Sequence, residues 1–131
     1  MRRSRLLLSA ALAAGLLLGA CGSDKGFYIT EHWDIWQIRL ETRPHPIEAG
    51  HDEFLLHIVG PQNRLPGGMI VRYRMDPKDS WIQAMPDGLS DVFRRALVVK
   101  DPATAKLYVH LQYGDKQGQL VFDLGKSPAH S

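Results

Sequence analysis

In residues 27–131, apolar side chains recur at every second position, in short runs cut by proline, glycine and aspartate. That period fits a strand with one buried face and does not fit a helix, so it constrains the fold more than any other feature. Trp36, Ile38 and Leu40 alternate with Gln37, Arg39 and Glu41, and the run stops where Arg43-Pro44-His45-Pro46 withdraws backbone donors. After the Glu48-Ala49-Gly50-His51 turn, Phe54, Leu56 and Ile58 mark a second strand, closed by Gly60-Pro61. Pro66-Gly67-Gly68 opens a third, with Met69, Val71, Tyr73 and Met75 on one face and Arg72 and Arg74 on the other. Trp81 to Met85 forms a short fourth run. Asp91 to Lys100 forms a fifth whose two faces are both apolar, as in a central strand. Leu107 to Tyr113 and Leu120 to Leu124, joined through Gly114-Asp115-Lys116-Gln117-Gly118, read as a hairpin.

Seven short strands in roughly 100 residues imply an all-β chain, an immunoglobulin-like antiparallel β-sandwich. Only Leu89 to Ala96 could instead make about two turns of helix. At 131 residues the chain has room for one small core. The formal charge of +2 comes from a leader: Arg2, Arg3 and Arg5 lie there, leaving 13 basic against 14 acidic side chains from residue 21. A near-neutral body gives no electrostatic case for nucleic acid.

The leader has a basic start, an apolar stretch from Leu6 to Leu18 and small residues before Cys21, the chain's one cysteine. The stretch is shorter than the ~20 residues a spanning helix needs. Leu18-Gly19-Ala20-Cys21 resembles the lipobox of bacterial lipoproteins. The resemblance implies that residues 1–20 are removed, that Cys21 is lipidated and that the chain is anchored to a membrane. Multiple acyl chains, at about 0.8 kcal/mol per buried methylene, hold such an anchor stably. In that family a residue other than aspartate after the cysteine, here Gly22, points in a Gram-negative source to the outer membrane, facing the periplasm. Residues 21–26 then form a short tether, 27–125 the folded domain and 126–131 a frayed tail.

No serine elbow, Gly-rich phosphate loop or His-Glu-x-x-His motif is present, so the expectation is a chain that is not an enzyme. The sharpest cofactor reading is copper. Imidazoles and thioethers are soft ligands suited to Cu(I), and His51, His57, Met69, Met75 and His110 form the candidate set. Against it, alternation places the methionines in the core. The stretch from Pro46 to Val59, followed by Gly67-Gly68-Met69-Ile70-Val71, resembles the early strands of the exported YtkA-like and FixH-like β-sandwich proteins. That resemblance implies the fold and, for some relatives, copper handling or cytochrome oxidase maturation. A paired Met and His motif in the later strands is missing. With copper binding as the alternative, the favoured expectation is nevertheless a lipid-anchored, non-catalytic binding module with a protein partner in the envelope and no cofactor. Its candidate contacts are Trp33, near the anchor, and Arg72 and Arg74, a basic pair suited to an acidic partner or lipid head groups.

Overall fold

The computed structural model describes residues 27–88 and 91–125; the leader, Cys21, the tether and the tail lie outside the described residues. Eight strands run β1 (Phe27–Trp33), β2 (Trp36–Arg43), β3 (Gly50–Val59), β4 (Ile70–Arg74), β5 (Ile82–Pro86), β6 (Val92–Val99), β7 (Lys106–Tyr113) and β8 (Lys116–Asp123). All pairings are antiparallel, in the order β1-β2-β3-β6-β5-β4-β7-β8. The seven expected strands are present, and β7 and β8 pair as a hairpin. Two features differ from expectation. β1 is an additional strand, paired with β2 across the Asp34-Ile35 turn. The layers β1-β2-β3-β6 and β5-β4-β7-β8 are also continuous, forming one nearly closed sheet, because β5 serves both: Ile82, Gln83 and Ala84 pair with β4, and Met85 and Pro86 with β6.

Alternation sends Trp36, Ile38 and Leu40 of β2, Phe54, Leu56 and Ile58 of β3, Val71 and Tyr73 of β4, and Leu107, Val109 and Leu111 of β7 into a common interior, where all are buried. Trp36 meets Tyr113 edge-on at 5.2 Å. Gly60 makes room for it, since a Cβ there would lie 3.0 Å from the indole. Ile47 enters the interior from the β2–β3 connection, and buried Asp52 fixes that connection by accepting a bond from the Glu48 N–H at 2.9 Å. The seam between β1 and β8 is shut by the Trp33 indole against Gly118, where any Cβ would overlap it, and by the Asp34–Lys116 pair at 3.2 Å.

β6 is not buried on both faces. Phe93, Leu97 and Val99 face the interior, whereas Ala96 and Val98, of opposite parity, face outward beside Glu53 and His51 of β3; Ala96 is exposed and Val98 is 49% exposed.

Tyr73 ties the layers together. From β4 its hydroxyl reaches across the interior to donate to the Phe93 carbonyl of β6 at 2.9 Å, with the Phe54 carbonyl of β3 at 3.4 Å. Complete burial pushes this phenol far above its ordinary range, so it remains a donor. Tyr73→Phe removes the donor and leaves the Phe93 carbonyl without it. The expected cost is about 1–2 kcal/mol, read as a Tm about 4–15 °C lower by thermal denaturation.

Candidate binding face

The two outward surfaces of the barrel are built from strands of the same kind but carry charge differently. On β2-β3-β6 the cations and anions neutralise one another. Glu41 accepts from Arg43 at 2.8 Å and lies 2.8 Å from His57 Nε2. Arg94 brings Nε and Nη2 to Glu53 Oε2 at 3.1 and 2.7 Å, and Nη1 to Asp87 at 3.1 Å.

On β5-β4-β7-β8 the pattern is different. Because Val71 and Tyr73 point inward, Arg72 and Arg74 must point outward. Register places Arg72 between Gln83 and His110, and Arg74 beside Tyr108. Arg72 Nη1 reaches His110 Nδ1 at 3.3 Å and Gln112 Oε1 at 3.4 Å. A guanidinium can only donate, so Nδ1 accepts, and Nε2 carries the proton toward Gln117 Oε1 at 3.1 Å. The Arg74 guanidinium stacks 4.0 Å from the centre of the Trp81 ring, and Trp81 in turn lies 5.7 Å from the His110 ring. Arg74 donates to the Asp79 carbonyl at 3.3 Å, while its buried Nε has no partner. These four strands contain one acid, Asp123, opposite Lys106 at the rim. Among the described residues neither Arg72 nor Arg74 has a carboxylate partner.

The face is therefore two guanidiniums, an indole, an imidazole and glutamine amides, a surface that can accept anionic groups by charge-assisted bonds and flat groups by stacking. Arg72 and Arg74 were readable from alternation. Trp81 is not among the contacts expected from sequence; it shares outward parity with Gln83 and with Met85, which is 52% exposed. Residues 81, 83 and 85 alternate with inward Ile82 and Ala84, and that parity was the available signal.

The remaining candidates are dispersed. His57 stands on the outward face of β3, bonded to Glu41, and His110 on the outward face of the other layer. His51 is exposed at the start of β3. Met69 is 6% exposed within the core, and Met75 packs against it. These five side chains do not converge, and among the described residues no group of three His, Cys, Asp or Glu side chains could hold a metal ion. Trp33 is spent on the β1–β8 seam, half-buried against the core. The chain matches no family model, no curated protein and no solved structure.

The charge balance of the β2-β3-β6 face has a pH signature. Burial alone would raise the Glu41 carboxyl, but the bonds from Arg43 and His57 outweigh it and hold its pKa below the ordinary 4.5. A depressed folded value gives stability that is present above the unfolded pKa and lost as pH falls through the folded one. Wild type is expected to exceed Glu41→Gln in urea midpoint at neutral pH, with the difference closing below pH 4.5. Equal differences at neutral and acid pH would refute it.

Proposed function

We propose that this chain is a lipid-anchored binding module of the bacterial envelope, not an enzyme, and that the outward face of β5-β4-β7-β8 receives an anionic partner. The observation that carries the reading is the Arg72–Arg74 pair. Its charges meet only neutral acceptors and an aromatic ring within the domain. Guanidiniums balanced by carboxylates, as Arg94 is, have little left to offer a ligand, whereas these two are held by neutral groups and keep their charge for one. Beside them Trp81 supplies a flat apolar surface of the kind enriched at contact hot spots. Anchorage supports the same role: a short tether from Cys21 would hold the domain close to the lipid surface, where a binding face is useful and diffusion is not required.

A polyglutamate peptide is the probe. The full chain in detergent is expected to bind it in a salt-sensitive manner, and Arg72→Glu with Arg74→Glu to weaken binding by about tenfold or more. Gln37→Glu, on the opposite face, is expected to leave binding unchanged. Equal binding by the double variant and wild type would sink the assignment of this face.

Anchorage has its own measurement. Mass spectrometry of the membrane fraction is expected to show a mature N-terminus at Cys21 carrying a diacylglyceryl adduct, and Cys21→Ala to leave the chain out of that fraction. An unmodified Cys21 or an uncleaved leader would refute it.

A further inference from the structure

Arg72 of β4 and His110 of β7 are direct cross-strand partners, and Arg72 Nη1 lies 3.3 Å from His110 Nδ1. While the imidazole is neutral, one donor meets one acceptor, and part of the bonding capacity of Arg72 is spent on the ring. A proton on Nδ1 reverses the contact. The ring then has only donors, so two N–H groups face each other, and two like charges stand directly opposite on an antiparallel pair, an arrangement that destabilises a sheet. Nε2 keeps its role, since it already donates to Gln117 Oε1 at 3.1 Å.

Among the described residues no carboxylate beside His110 balances that added charge. From β4 the ring faces Arg72 and, one outward position further, Arg74. From β8 it faces Gln119 and Gln117. Along β7 its outward neighbours are Tyr108 and Gln112, and Trp81, ahead of β5, brings its ring centre to 5.7 Å. The acids of the turn after β4, Asp76 and Asp79, form no ion pair with His110 or with either arginine, and Asp76 Oδ1 is taken by the Lys78 N–H at 2.8 Å. Asp123 stands at the rim, opposite Lys106. An oxyanion from outside can do what these groups do not, because two nitrogens 3.3 Å apart can both donate to one carboxylate, sulfate or phosphate group.

We infer that Arg72 and His110 form a proton-gated oxyanion site, in which neutral His110 caps Arg72 and protonated His110 becomes a second donor to the bound anion. The site rests on the anion-binding role proposed for this face, to which it adds a location and a control. Proton and anion reinforce each other: the anion holds the proton on Nδ1, and the proton releases Arg72 to the anion. Since the bound form carries the extra proton, affinity rises as pH falls. Histidine is the side chain that ordinarily changes charge between pH 5 and 8, a window in which guanidiniums stay charged.

The probe is poly(vinyl sulfonate), an anion of constant charge over that window, added at fixed salt to the full chain in detergent. Its affinity is expected to rise about tenfold from pH 8 to pH 5.5. Calorimetry in two buffers of different ionisation heat is expected to show protons taken up on binding. His110→Gln is expected to lose both the rise and the uptake, whereas His57→Gln, on the opposite face, keeps both. Nitrogen NMR of the wild type needs no variant: Nε2 alone is protonated in the free chain at pH 8, and both ring nitrogens of His110 are protonated in the complex at pH 6.5. Equal affinity from pH 8 to pH 5.5, a rise that survives His110→Gln, or an unprotonated Nδ1 in the complex overturns the gate and leaves the anion-binding face standing. Absence of binding at every pH overturns both.

Discussion

Five residues of β5 hold the two layers of this barrel in one sheet, and the rest of the molecule is arranged around their divided pairing. Ile82 to Ala84 belong to one layer, and Met85 and Pro86 to the other. A proline at the end of this short strand costs little: the Asp87 N–H faces β6, so a donor at position 86 would face the other way, past the last β4 pair at Ala84. Because so few backbone bonds cross that corner, cohesion between layers falls to the interior. Trp36, Phe54, Tyr73 and Phe122 fill it, and the Tyr73 hydroxyl adds a directed bond from one layer to the other.

The seven strands from β2 onward were legible because each carries enough alternation to declare its buried face. β1 was not: Phe27-Tyr28-Ile29-Thr30-Glu31-His32-Trp33 mixes aromatic, polar and charged residues on both parities, so its period carries no clear phase. Nor does any local pattern reveal that β3 pairs with β6 and β4 with β7, since those partners are far apart in the chain. The apolar residues on both faces of β6 suggested a strand covered on both sides. Val98 is exposed because it lies on the outward face beside exposed His51, and which of two apolar faces is covered is set by the tertiary arrangement, which the side chains of β6 do not encode. For the candidate face, the arginines followed from parity, whereas the stacking of Arg74 on Trp81 depends on the turn at residues 75–81 folding back over β4.

The contrast between the two outward faces is one of pairing more than of composition. Both carry arginine. Arg43 and Arg94 lie within reach of Glu41, Glu53 and Asp87, and each pair spends its charge locally. Arg72 and Arg74 stand on strands whose cross-strand neighbours are glutamine, histidine and tyrosine. Such neighbours orient a guanidinium without neutralising it, which keeps its charge available to an outside anion at the expense of little stability.

The clamp of Trp33 on Gly118 and of Asp34 on Lys116 also sets how the barrel bears a load. Tension arriving from the N-terminal side enters at Phe27, the free end of the β1–β2 hairpin, where the register already shifts between Phe27 and Thr30. From there the β1 bonds are loaded one after another, as in a zipper, and each yields at low force. The clamp sits at the opposite end, beside the Asp34-Ile35 turn, so it is strained last. A domain pulled from that side can lengthen by most of one strand while β2 and the packed interior stay closed.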